Sequence, residues 1–187
     1  MTSHICTEQP CPVQELTHEW YGREILPHVE YSFSIQGENL VYCARQEKGV
    51  SIHPGAQPGA FTEELWRYDT AEFFISNAEG TRYLEFNLCP NGAWWACVFT
   101  GPRCKDETAP QLTAAATQGR CTPQGWECRA EIPLAYLASI GITPQDCRLA
   151  AAAIQNSPDY LYLTTAEDLS GEPDFHRPWA WPKARII

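Results

Sequence analysis

The sequence predicts an all-β chain folded as an antiparallel β-sandwich with one short helix. Three observations lead there. Apolar and polar residues alternate with a period of two in segment after segment. Gly, Pro, Asn and Asp cluster between those segments, where hairpin turns need them. No stretch carries a helix-period stripe long enough for an α/β crossover. At 187 residues the chain has the length of one domain, residues 1–187, with room for a real core.

The elements follow in order. Residues 1–16 are polar, with Cys6, Pro10, Cys11 and Pro12, and read as a leading arm. Val29, Tyr31, Phe33 and Ile35 then alternate with Glu30, Ser32 and Ser34, as in a half-buried strand. Gln36, Gly37, Glu38 and Asn39 turn the chain, and residues 40–45 return as the hairpin partner. Residues 53–59 hold two Pro and two Gly and form a loop. In the strand at 71–76, Ala71, Phe73 and Ile75 share one face, and Glu72, Phe74 and Ser76 the other. Residues 82–88 return, with Leu84, Phe86 and Leu88 on one face and Tyr83, Glu85 and Asn87 on the other. Pro90, Asn91 and Gly92 turn again into a third strand at 93–100, which completes a meander. Trp94 and Trp95 must enter opposite faces, so one of them belongs to the core.

Residues 102–110 form a polar loop. The Ala-rich stretch 112–118 suits a strand or a short helix. A strand is favoured because 126–132 offers a partner, with Trp126, Cys128, Ala130 and Ile132 alternating with Glu127, Arg129 and Glu131. Residues 119–125 would close that hairpin. Residues 133–140 suit the short helix, with Pro133 in its first turn and Gly141 past its end. Residues 149–155 are small and apolar, as in a central strand, and 161–164 are ambiguous. About nine strands result. Residues 166–187 are an aromatic, non-regular tail, too apolar for solvent.

Composition excludes several roles. With 13 Lys+Arg against 23 Asp+Glu, the net charge is −10, which argues against nucleic-acid binding. No apolar run approaches the ~20 residues of a membrane span. The first residues lack a basic segment followed by an apolar one, so no secretory signal is visible and a cytoplasmic location is expected. Nine cysteines, an odd number with no C-x-x-C pair, then read as reduced core packing rather than as a metal or disulfide frame.

Catalytic templates are nearly empty. There is no Gly-rich phosphate loop, no G-x-S-x-G and no H-E-x-x-H, and the five histidines are scattered. Glu72 and Glu85 lie on paired strands, where two carboxyls could serve glycoside hydrolysis, bond a ligand or line a solvated face. A binding template fits better. Sugar recognition needs flat aromatic faces and planar polar groups for hydroxyls. Trp66 precedes the Glu72 strand, and Tyr83, Glu85 and Asn87 share a face beside it. Arg103 follows the third meander strand, and the tail brings Phe175, His176 and Trp179. The plainer alternatives are that Trp66 anchors its loop and that the tail plugs one end of the sandwich.

Four motifs in order then carry a resemblance. Leu65-Trp66-x-x-Asp69-x-x-Glu72-Phe73-Phe74-Ile75 resembles a strand of the family 9 carbohydrate-binding modules and the wider DOMON-like domains. Tyr83-Leu84-Glu85-Phe86-Asn87-Leu88-x-Pro90-x-Gly92-x-Trp94 resembles a hairpin of a stand-alone DOMON-like branch. Trp126-x-x-x-x-Glu131-Ile132-Pro133-Leu134 is similar to the strand that ends these sheets. Pro173-Asp174-Phe175-His176-Arg177-Pro178 is similar to that branch's terminus.

The resemblance implies a β-sandwich whose concave face holds a sugar or, in some DOMON relatives, haem. It implies Trp66 as one clamp wall and Glu72 as the carboxylate, with the second wall from Phe175 or His176, then Trp179. It also implies structural calcium, although no dense cluster of oxygen-bearing side chains is evident in the sequence. Haem held by Met and His fits poorly, since Met1 is the only methionine. No other cofactor is expected. The expected function is a non-catalytic module for a carbohydrate or sugar-containing small molecule. The alternative is a scaffold or partner-binding domain without a working sugar site. Ligand identity and oligomeric state stay open.

Overall fold

A computed structural model describes residues 2–7, 10–113, 115–156 and 159–187. Its first strands are β1 (Ser3–Cys6), β2 (Gln14–His18), β3 (Glu24–Gln36), β4 (Asn39–Gln46), β5 (Thr70–Asn77) and β6 (Tyr83–Leu88). Next come β7 (Trp94–Phe99), β8 (Ala116–Thr122), β9 (Gly125–Pro133), the helix α1 (Leu134–Ser139), β10 (Cys147–Asn156), β11 (Tyr160–Thr164) and β12 (Ala184–Ile186). One sheet has seven strands in the order β12-β1-β3-β4-β9-β8, with β2 also paired to β3. The other has five, in the order β11-β10-β5-β6-β7. The pairing is antiparallel except at β1, which runs parallel to both β3 and β12.

The alternation explains the sandwich. Phe33 and Tyr42 face inward from the first sheet, and Phe73 and Phe86 from the second. Their rings form a continuous series of contacts, stacked within each sheet and edge-to-face between the sheets. Phe33 lies 4.9 Å from Tyr42, Tyr42 5.2 Å from Phe73, and Phe73 5.3 Å from Phe86. Trp94 extends it at 5.7 Å from Phe86, in near-parallel contact. The Tyr42 hydroxyl donates to the Glu72 carbonyl at 3.2 Å, so a polar atom in mid-core is satisfied across the sheets. Trp126 is buried in the same core.

Several expectations are corrected. The arm at 1–16 is not unstructured, because it contributes β1 and β2; Met1, Glu8 and Gln9 lie outside the described residues. Its apolar residues Ile5 and Leu16 are buried, which the polar average of the segment conceals. The strand expected at 112–118 runs later, at Ala116–Thr122, and Ala114 lies outside the described residues. The shift follows from a close approach. A Cβ at Gly119 would lie 2.3 Å from Gly92 N and from Pro90 O, so only glycine lets β8 rest on that turn. Thr117 seals the contact, its hydroxyl donating to Gly92 O at 2.6 Å.

The short helix ends as expected. Gly141 takes a positive φ of 78°, and Ile142 N–H donates to Leu137 O at 2.9 Å. The tail does not plug one end of the sandwich. Phe175, Ala180 and Trp181 lie across the outer face of the five-stranded sheet, packed with Phe74, Tyr83 and Phe99. Its last residues add β12 as an edge strand. Cys6, Cys89, Cys128 and Cys147 are buried, whereas Cys104 and Cys121 are exposed and belong to no core. Among the described residues no helix is long and apolar enough to cross a membrane.

Candidate functional site

The floor of the site follows from register. Glu72 on β5 pairs with Asn87 on β6, and Phe74 pairs with Glu85. With period-two alternation, all four side chains leave the same outer face of the sheet. The tail and the loop after β7 roof that face. Glu72 is therefore only 1% exposed, and Glu85 and Asn87 are buried as well. Asn87 Nδ2 donates to Glu85 Oε1 at 3.2 Å. Glu72 Oε1 and Asn87 Oδ1, from directly paired residues, are buried with no hydrogen-bond partner.

Electrostatics follows from that burial. Loss of water pushes the Glu72 carboxyl well above its ordinary range, and the nearby Glu85 charge adds to the shift. Burial lifts Glu85 to about 7, opposed by the Asn87 hydrogen bond, Arg103 and Lys105. The pair therefore holds protons that ordinary carboxyls lose.

Aromatic rings wall a cavity of about 440 Å³ over this floor. Trp66 stands on the 3-10 turn Leu65–Arg67, which is pinned by buried Leu65 beneath it. Asp69 fixes that turn to the sheet, accepting from Ser51 N–H at 2.6 Å and from Asn156 N–H. Trp66 itself remains 45% exposed, with the Arg67 guanidinium over its ring at 5.2 Å. Trp95 pairs with Asn87 and so faces outward, while Trp94 faces the core. Lys105 Nζ lies 5.7 Å from the Trp95 ring centre. Tyr162 of β11 supplies a further ring.

The tail forms the remaining wall and is tied down at several points. Trp181 Nε1 donates to Phe175 O at 3.0 Å, and Phe175 packs on Phe74 at 6.1 Å. The Tyr83 hydroxyl and His176 Nδ1 are 2.7 Å apart, and His176 Nε2 lies 3.5 Å from Glu85 Oε2. Arg103 has φ of 57°; its N–H donates to the Tyr83 oxygen at 3.2 Å and its guanidinium to Asp174 at 2.8 Å. Burial and the Arg103 charge lower His176 to about 4, so its ring is neutral near pH 7. A neutral imidazole offers one donor and one acceptor, which suits its place between a phenol and a carboxyl.

Six of the expected residues, Trp66, Glu72, Glu85, Arg103, Phe175 and His176, line the cavity. Tyr83 and Asn87 are fully buried beside it and hydrogen-bond to the lining residues His176 and Glu85. Trp179 does not reach it. It sits on the turn Pro178–Ala180, 60% exposed, and its neighbour Trp181 is the residue driven inward. Trp95, Lys105 and Tyr162 were not expected. Trp95 could have been found, because it keeps the phase of Glu85 and Asn87 through the meander. Tyr162 sat in a segment too short to assign, and nothing in the sequence marked Lys105.

The chemistry available is hydrogen bonding under aromatic cover. Glu72 and Glu85 sit diagonally across the two strands rather than directly opposite. Among the described residues no three His, Cys, Asp or Glu side chains are grouped to hold a metal ion.

Comparison with known proteins adds three findings. No family model matches the chain. It is 31% identical over 131 residues to the mouse UPF0462 protein C4orf33 homolog, covering 66% of this chain and 64% of that protein. The human protein is 29% identical over 130 residues, which cover 61% of its length. The alignment thus spans less than two thirds of these curated relatives. Among solved structures, a suspected carbohydrate-binding protein from Bacteroides uniformis superposes with a TM-score of 0.73 at 12% identity, over 100% of this chain and 98% of that one. Family 9 carbohydrate-binding modules from Caldicellulosiruptor kristjanssonii superpose at 0.66 with cellotriose bound and 0.65 with glucose bound. Their identities are 9% and 10%, over 100% of this chain and 93% and 96% of theirs. At such identities the likeness establishes the β-sandwich fold. That is the fold which the resemblance to family 9 modules implied.

Proposed function

We propose that this chain is a non-catalytic binding domain for a sugar or sugar-containing small molecule, held in the cavity between Trp66, Trp95 and the tail. One observation carries the reading. Glu72, which lines the floor of an aromatic-walled cavity, has its Oε1 buried without a partner, and the Oδ1 of Asn87, its paired residue on β6, is unpartnered behind it. An unpaired buried polar atom costs about 1–3 kcal/mol, so such atoms point to a missing partner. Sugar hydroxyls would supply that partner, and the C–H faces of a pyranose would cover Trp66 and Trp95. Glucose and cellotriose in the fold neighbours agree with this ligand class.

The roles divide by position. Glu72 and Glu85 bond hydroxyls, Asn87 orients Glu85 from below, the Trp66 and Trp95 rings stack, and Phe175 and His176 close the far side. Tyr83 and Arg103 hold the tail in place. The test is a thermal-shift and calorimetric screen with glucose, cellobiose and cellotriose at millimolar concentration. Stabilisation that Trp66→Ala abolishes supports the reading. No response to any of the three, or one that survives Trp66→Ala, counts against it.

A further inference from the structure

A second depression, of about 580 Å³, adjoins the first cavity. Tyr162 and Pro173 line both, so the two adjoin along a shared edge. The second part has its own aromatic surface. Tyr160 and Tyr162 alternate on edge strand β11 and share one face; their rings are 6.2 Å apart and within 15° of parallel. They present a flat strip leading away from the cavity. Tyr160 is 50% exposed and Tyr21, which also lines the depression, 67%.

These rings are exposed but not loose. The Tyr160 hydroxyl donates to Arg67 O at 2.9 Å, which ties the strip to the turn that carries Trp66. The Tyr21 hydroxyl donates to Glu172 Oε2 at 3.0 Å. The Glu19 carboxylate accepts from Tyr21 N–H at 3.1 Å and Arg23 N–H at 3.0 Å, fixing the loop behind Tyr21. Rigid, water-exposed rings with polar groups at their edges are suited to stacking at low entropic cost.

We propose that this depression is a second subsite, which takes the sugar residue next to the one in the first cavity. The ligand is then an oligosaccharide whose chain runs from the Glu72 floor over Tyr162 to Tyr160 and Tyr21. This rests on the reading of the first cavity as a sugar site. The shared edge at Tyr162 and Pro173, which puts the second depression next to the first, is what selects the next residue of the same chain as the occupant.

The test is calorimetric titration with glucose, cellobiose, cellotriose, maltose and maltotriose. In the series with the matching linkage, affinity is expected to rise roughly fivefold to tenfold beyond glucose, the gain from one added stacking contact. Tyr160→Phe, which loses the hydroxyl bond to Arg67 O but keeps the ring, sets the glucose baseline and retains the gain; Tyr160→Ala, compared with it, removes the gain. Equal affinity at every length, with Trp66→Ala still abolishing glucose binding, overturns the second subsite and spares the first. A gain that survives both Tyr160→Ala and Tyr21→Ala also overturns it. If no sugar binds, or glucose binding survives Trp66→Ala, the first reading fails and takes the second with it.

Discussion

Replacing Glu72 by leucine should make the protein more stable and unable to bind. Glu72 is 1% exposed, its Oε1 has no partner, and its carboxyl is held well above the ordinary range by burial and by Glu85. Removing one unpartnered buried oxygen is worth about 1–3 kcal/mol. For a chain of this size that raises Tm by roughly 2–12 °C. The effect also has a pH signature. Below the carboxyl's ordinary value of 4.5, Glu72 is protonated in both the folded and unfolded wild type. Above it the unfolded chain ionises while the folded one resists, so wild type loses stability as pH rises toward the folded value. Each unit between the two values widens the gap by about 1.4 kcal/mol. Urea unfolding of both proteins at pH 4, 6 and 8 reads this directly, with Glu72→Gln as the shape-matched control. A leucine variant that is less stable than wild type, or a gap that does not grow with pH, would refute the picture of an uncompensated floor.

Other outcomes follow from the same geometry. Trp66→Ala should change stability by no more than about 0.5 kcal/mol in urea unfolding, because the ring is half exposed, while abolishing ligand-induced stabilisation. His176→Gln should remove a pH dependence. The wild-type ring, faced by Tyr83, Glu85, Arg103 and Asp174, falls from 6.5 to about 4, so its stabilisation is present above 6.5 and lost as pH falls toward 4. The difference between wild type and this variant should change by about 2–3 kcal/mol between pH 7 and pH 4. Gly119→Ala should cost about 1–3 kcal/mol in thermal unfolding, because its Cβ would meet the backbone of Pro90, Asn91 and Gly92.

Much of the fold was legible because alternation is a local signal. The meander β5-β6-β7, the hairpin β3-β4 and the strand β9 announce themselves through period-two patterning and turn residues, whereas β8 lies later than its Ala-rich stretch suggested and takes up residues read as a turn. What escaped was non-local. Nothing in residues 3–6 shows that they pair in parallel with β3 and β12, since those partners lie far along the chain. The path of the tail was equally hidden: its apolar residues demanded cover, but which face they would cover depends on the assembled sheet. The site divides along the same line. Glu72, Glu85 and Asn87 were found because their phase on two paired strands is fixed by the pattern. Trp179 was expected in place of Trp95 and Tyr162, because an irregular turn gives no phase from which to assign an inward side chain.

The central claim is that a sugar sits between Trp66 and Trp95 over the carboxyl floor. It is tested most directly by following the indole N–H resonances of the seven tryptophans while glucose and cellotriose are titrated in. The account predicts saturable shifts at Trp66 and Trp95, with Trp94 and Trp126, buried in the core, unmoved. Shifts confined to other tryptophans, or none at tens of millimolar of either sugar, would contradict it.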